Sequence, residues 1–295
     1  MNRIIVLLLT VCFSLCCVAQ SISDLKKKAE QGDAKSQFQL GLNLMNGEGV
    51  QQDQKQAVYW IRKSAEQNYA DAQSHLGTCY YYGMGITQDL KQAMFWFEKA
   101  AEQGNLGGQS MLGILLMSDG VAQDYQKAAF WLKKAAERGD IAAQDSYGLL
   151  YIMGLGVAQD NKQAAHWFKE AAEKGYYLAQ YHFAICYKDG LGVAKDEKQA
   201  AIWYGKSAVQ GYKNAQYWMG LCCFSGLGVK QDRLQASYWF ELAAEQGVAD
   251  AQFILGAMFL EGTGIIKDIN KAKFWFQKAA AQGHEKAKIE LEKLR

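Results

Sequence analysis

Proline is absent from this chain. That removes the residue that most strongly interrupts helices. Net charge is scarce as well: the formal charge is +2 over 295 residues, 21% of them charged. Such a balance suits a soluble globular chain and lacks the basic excess that nucleic-acid binding requires. There are four histidines, His75, His166, His182 and His284. No His-Glu-x-x-His, Cys-x-x-Cys or other paired-ligand spacing occurs, so neither a metal nor a cofactor is expected.

Long apolar runs are missing too, except at the N-terminus. Ile4 to Cys17 carries no charge, Arg3 precedes it, and Cys17-Val18-Ala19 closes it. The run is shorter than the roughly 20 residues of a spanning helix. It reads as a secretory signal peptide, residues 1–19, cut to leave Gln20 or Ser21 first. The protein is then secreted or periplasmic, with no membrane span left. An uncleaved run would instead make a membrane-tethered adaptor. The residues before Cys16 and Cys17 do not resemble the small-residue lipoprotein pattern.

What the chain does have is repetition. Tryptophan recurs as Trp60, Trp96, Trp131, Trp167, Trp203, Trp239 and Trp275, in steps of 36, 35, 36, 36, 36 and 36 residues. Self-similarity at this period is the signature of a solenoid. The repeats fill 29–279, as 29–64, 65–100, 101–135, 136–171, 172–207, 208–243 and 244–279. Residues 20–28 form an N-terminal capping segment and 280–295 a capping helix, with charged Glu292 where a packing glycine would otherwise stand.

Each unit reads as two helices. The first carries a glutamine in every copy, from Gln37 to Gln252, and a glycine four residues later in all but one, Ala184 in unit five. Mid-helix glycine costs roughly 1 kcal/mol against alanine, so the position predicts close approach of another helix. A Gly-x-Gly turn follows; in unit three it is one residue shorter and lacks the first glycine. The second helix opens on an aspartate able to cap it, Asp53 to Asp268. An alanine three residues before each tryptophan makes room on a shared face that the tryptophan is expected to fill. Glycine, or once Asn68, ends each helix in a left-handed cap.

Little else suggests chemistry. Gly190-Leu191-Gly192 has the outline of a phosphate loop, but it recurs as a turn between helices and no strand precedes it. Beyond the leader the cysteines are Cys79, Cys186, Cys222 and Cys223. The first three share one slot of the first helix, so neighbours lie about 8–10 Å apart, beyond the roughly 7 Å reach of a disulfide. They are expected as buried free thiols.

Ala-Gln-x-x-Leu-Gly-x-x-x-Tyr, Gly-x-Gly-Val-x-x-Asp and Lys-Ala-x-x-Trp-Phe-x-Lys-Ala-Ala-Glu-x-Gly together resemble the Sel-1-like repeat family, relatives of the tetratricopeptide repeats. The resemblance covers residues 29 to about 291. It implies an all-α fold, a right-handed α-α superhelical solenoid of seven helix-turn-helix repeats plus capping helices. It also implies a non-enzymatic scaffold or adaptor, here a monomer, binding a protein or peptide. A cysteine-rich branch of the family bridges its paired helices; no second helix here carries a cysteine, which counts against that branch's link to β-lactams.

In that family geometry the first helices line a concave groove. The candidate groove residues are Phe38, Tyr81, Tyr181, Ile185, Tyr217, Leu221, Phe224 and Phe253. Tyr181, Tyr217 and Phe253 share one repeat position and form a ladder. An apolar strip with a polar rim marks an interaction site; a tightly wound solenoid would bury the same residues between units instead. The alternative function is an envelope-associated enzyme or small-ligand binder, β-lactamase-like or glycan-related. The lack of an acid/base or nucleophile constellation counts against it.

Overall fold

The computed structural model describes residues 22–294. The signal-peptide reading of residues 1–19 lies outside them. A helical segment at 22–30, α1, leads into fifteen further helices. Among the described residues no strand occurs. The first helices of the seven repeats are α2 (Ala34–Asn46), α4 (Ala70–Tyr82), α6 (Leu106–Leu115), α8 (Ile141–Met153), α10 (Tyr177–Asp189), α12 (Lys213–Ser225) and α14 (Ala249–Glu261). The second helices are α3 (Gln54–Glu66), α5 (Leu90–Glu102), α7 (Tyr125–Glu137), α9 (Asn161–Glu173), α11 (Glu197–Val209), α13 (Arg233–Glu245) and α15 (Ile269–Ala281). The last helix, α16, spans Glu285–Lys293. No described helix is long and apolar enough to cross a membrane. The fold is an all-α repeat solenoid.

The chain divides into two compact units, one ending at Ala143 and one beginning at Gln144. In the first, α2 packs on α3, α3 on α4, and so on to α7. In the second the same succession runs from α9 to α16.

The helix ends follow from local chemistry. The Asp53 carboxylate accepts from the Gln56 amide at 3.0 Å, and Asp89, Asp124, Asp160, Asp196, Asp232 and Asp268 do the same for their helices. Asn68, at φ 66°, is the only non-glycine with positive φ among the described residues. It stands where the other repeats use glycine. The third repeat's missing turn glycine has a visible consequence. Without a left-handed C-cap, α6 stops after 10 residues rather than 13, and Ser118 Oγ donates to the Leu115 carbonyl at 2.7 Å.

Glycine serves packing at two recurring positions, midway along the first helix, where Ala184 is the one replacement, and in the turn. A β-carbon on Gly148 would lie 2.7 Å from Phe168 Cε1, so only glycine lets α8 rest on that ring. In the turn, Gly192 has φ +74° and its missing side chain faces the Asn161 carbonyl of the preceding repeat.

The core corrects one expectation. The side chain that fills the space under each mid-helix glycine is the residue after the tryptophan; in unit five, where Ala184 replaces the glycine, that residue is Tyr204. Ile61, Phe97, Leu132, Phe168, Tyr204, Phe240 and Phe276 are all essentially buried. Most of the tryptophans, Trp167 among them, are half-buried, while Trp203 and Trp275 reach the core. The tryptophan lies one helical step, 100°, off the stripe defined by the buried alanines.

The recurring glutamine acts as a clamp. Gln37 Nε2 donates to the Ala29 carbonyl at 3.0 Å, at the end of α1, while Gln37 Oε1 accepts from Gln67 at 2.7 Å, at the end of α3. Gln73 with Gln103, Gln180 with Gln210, Gln216 with Gln246 and Gln252 with Gln282 repeat the pattern. Arg138 and Lys174 replace the donating glutamine opposite Gln109 and Gln144. In the clamps of Gln37, Gln73, Gln109, Gln180, Gln216 and Gln252 the amide gives a second donor to a helix-end carbonyl that already accepts the backbone amide just beyond the helix, and so ties that end to the end of the next second helix. A buried amide with both ends satisfied explains why no other residue type fills the slot.

Candidate functional site

The ladder residues Tyr181, Tyr217 and Phe253 lie on α10, α12 and α14, all within the second unit. All three are half-buried. Each rests on the buried ring of its own repeat's second helix. Ring centroids are 5.8 Å apart for Tyr181 and Tyr204, 6.1 Å for Tyr217 and Phe240, and 5.8 Å for Phe253 and Phe276. Two also reach forward to the residue that opens the next first helix. Tyr181 meets Tyr212 edge-on at 5.1 Å, and Phe253 stacks on His284 at 4.6 Å. The rings are therefore held in place, with one side packed and the other open.

Burial raises the pKa of the Tyr181 phenol, reinforced by Tyr212 and partly offset by a hydrogen bond with Trp218. Burial, then the Asp250 carboxylate, raises that of Tyr217. Both phenols stay neutral and present hydrogen-bonding hydroxyls beside apolar ring surface. Ile185, Leu221 and Phe224 flank the ladder, half-buried against the adjoining cores. Phe224 carries the Arg233 guanidinium 5.7 Å from its ring centroid. Tyr217, Phe253, Ile254, Asp250, His284, Glu285 and Lys286 line a recess of about 520 Å³. On its wall His284 Nε2 approaches Asp250 Oδ1 at 3.3 Å.

The other candidate residues stand apart from this surface. Phe38, on α2, is buried, with Tyr69 at 5.5 Å and His75 at 4.8 Å. It is a packing residue between repeats. Tyr81, on α4, is half-buried and stacks edge-on against the exposed Tyr82. The ladder position in the intervening repeats holds Ser74, Ser110 and Asp145, all buried and polar. Asp145 takes a 2.7 Å hydrogen bond from His182 Nδ1, and Ser110 donates to Asp140 at 2.8 Å. The aromatic ladder thus belongs to the last three repeats.

Among the described residues no group of His, Cys, Asp or Glu is placed to hold a metal ion. Cys79, Cys186, Cys222 and Cys223 are buried free thiols. Burial pushes the Cys79 and Cys222 thiols up to about 11 and, with help from Asp189, Cys186 to about 12. None is a nucleophile at neutral pH.

Sequence reading did not find a second row of rings. Tyr59, Phe95 and Phe130, each just before a tryptophan, are about half exposed, at 47%, 46% and 52%. Tyr238 and Phe274 repeat the pattern. The signal was present as a doubled aromatic.

A solenoid of stacked helix pairs defines a repeat protein of the tetratricopeptide-like class. The Sel1 repeat family model matches residues 34–69, 70–105, 107–140, 141–176, 178–212, 213–248 and 249–284, and the chain belongs to that family. The chain is similar to c5321, a protective antigen of uropathogenic Escherichia coli with an SLR fold. Identity is 37% and the TM-score 0.81, over 92% of this chain and 59% of that one. It therefore spans less than two thirds of that antigen. It is also similar to a Sel1 repeat protein from Oxalobacter formigenes, at 38% identity and a TM-score of 0.76, over 94% of this chain and 81% of the other. No curated protein matches it. The Sel1 repeat fold commonly mediates protein–protein interaction.

Proposed function

We propose that this protein is an exported scaffold that binds a protein or peptide along Tyr181, Tyr217 and Phe253, with Ile185, Leu221 and Phe224 at the sides. The observation that carries the reading is that three half-buried rings recur at one repeat position, each resting on a buried ring beneath it. Anchors fixed before binding lose little side-chain entropy when the partner arrives. Their regular spacing suits an extended segment or an amphipathic helix contacted at intervals. Support for export is the uncharged run Ile4 to Cys17 behind Arg3.

Partner capture from native extract by wild type and by Tyr217→Ala tests the reading. Truncating such an anchor commonly costs about 2 kcal/mol, so affinity should fall roughly thirtyfold at about 1.4 kcal/mol per factor of ten. Undiminished binding by a folded Tyr217→Ala protein would place the partner elsewhere. Mass spectrometry of the mature N-terminus tests export separately, with Gln20 or Ser21 expected first.

A further inference from the structure

The second row of rings lies on α3, α5 and α7, in three consecutive repeats of the first unit. Tyr59, Phe95 and Phe130 each sit edge-on against the following tryptophan, with centroids 5.1, 5.1 and 4.9 Å apart. A lysine four residues on shares the helix face. Lys63 Nζ lies 4.8 Å from the Tyr59 centroid, Lys99 Nζ 5.0 Å from Phe95, and Lys134 Nζ 4.5 Å from Phe130. All three lysines are exposed, and among the described residues none of them forms an ion pair.

This arrangement selects a ligand chemistry. Each ring already has an ammonium over one face, so a sugar stacking there would have to displace it. The exposed ammonium beside each ring favours an anionic group lodged next to it. The same helices end on exposed Glu66, Glu102 and Glu137. A densely charged sheet or strand of phosphates would meet that glutamate row, whereas a segment with discrete carboxylates and apolar side chains can avoid it.

We propose that the exposed face of α3, α5 and α7 docks an acidic, partly apolar segment of a partner protein, with carboxylates against Lys63, Lys99 and Lys134 and apolar groups against Tyr59, Phe95 and Phe130. This surface is independent of the ladder on α10, α12 and α14.

The test uses the full chain and a fluorescein-labelled random copolymer of glutamate and tyrosine, read by anisotropy. The copolymer should bind, and more weakly as salt rises. A Lys63→Gln, Lys99→Gln, Lys134→Gln triple variant should bind about tenfold more weakly, the size expected of three exposed charge pairs together. Its melting temperature should match the wild type, because all three side chains are exposed. Tyr59→Ser, Phe95→Ser, Phe130→Ser should lose affinity as well, while Lys169→Gln on α9 should not. Failure of the copolymer to bind, or equal binding by the glutamine variant, overturns the proposal. So does tighter binding of phosphatidylglycerol vesicles or of an oligonucleotide through the same lysines.

Discussion

Replacing Phe168 by alanine should cost more stability than replacing its larger neighbour Trp167. Phe168 is 2% exposed. Its ring lies under Gly148, where a β-carbon would stand 2.7 Å from Cε1, and 5.1 Å from the His182 ring. Glycine already brings the α8 backbone close, so little can move to close the space that truncation leaves. A buried phenylalanine cut to alanine in such a site loses about 3–5 kcal/mol. Trp167 is half-buried, and its Nε1 is buried with no acceptor among the described residues. Cutting it away forfeits contact with Tyr147, 5.6 Å off. It also removes an unsatisfied donor worth about 1–3 kcal/mol. Trp167→Ala should therefore cost about 2 kcal/mol less than Phe168→Ala on these two estimates. Urea unfolding of both variants measures the difference. Native-state hydrogen exchange locates it, since repeat proteins couple mainly to nearest neighbours. Amides of α8, α9 and α10 should lose protection while those of α14 and α15 keep it. An equal or larger loss for Trp167→Ala would refute the placement of the core. Loss of protection spread evenly over all helices would refute local coupling.

Gln216→Leu should lower stability by about 1–3 kcal/mol, two hydrogen bonds at about 0.5–1.5 kcal/mol each, because it removes the 3.3 Å donor to the Ala208 carbonyl, which keeps the Gly211 amide, and the 2.7 Å acceptor of Gln246 Nε2, which keeps the Gly211 carbonyl; an unchanged urea midpoint would remove the clamp. The Cys186 thiol is raised to about 12 by burial from a free-thiol value of 9.0, so the unfolded chain ionises first and stability should fall from pH 9 upward. Cys186→Ala should show a shallower fall between pH 8 and 10.5 in urea titrations, and identical slopes would contradict the burial.

How much of this was legible depended on whether a signal was local or shared. The seven tryptophans fixed the period, and the capping aspartates and Asn68 fixed the helix ends, because each acts on its own turn of chain. The short turn of the third repeat announced itself by a missing glycine, though not the shortening of α6. The glutamine slot was visible as a constant, but its reason was not. Gln216 works by joining Ala208 to Gln246, one 8 residues before it and the other 30 after it, and no helix period connects those positions. The ladder was legible as a recurring residue, and its burial was not. Phe38 and Tyr217 occupy the same slot, yet Phe38 is covered by Tyr69 and His75 while Tyr217 stays half open. The neighbours that decide this come from the following repeat.

The row beginning at Tyr59 was different, because the sequence did hold enough to place it. Tyr59-Trp60-Ile61 are three successive apolar residues, spanning about 200° of a helix at 100° per residue. A core-facing stripe is little more than 100° wide, so one of the three had to face water. Ala57 and Ala65 bracket Ile61 at four residues on either side, and all three are essentially buried. That spacing puts Ile61 on the stripe, Trp60 at its margin and Tyr59 beyond it. The same count places Phe95 and Phe130 outside through Ala93 and Ala101, and through Ala128 and Ala136. Size had drawn attention to the tryptophan, whereas the alanines defined the face. An exposed aromatic repeated at this interval exceeds what the core requires, so these rings are the part of the second helices that packing leaves unexplained.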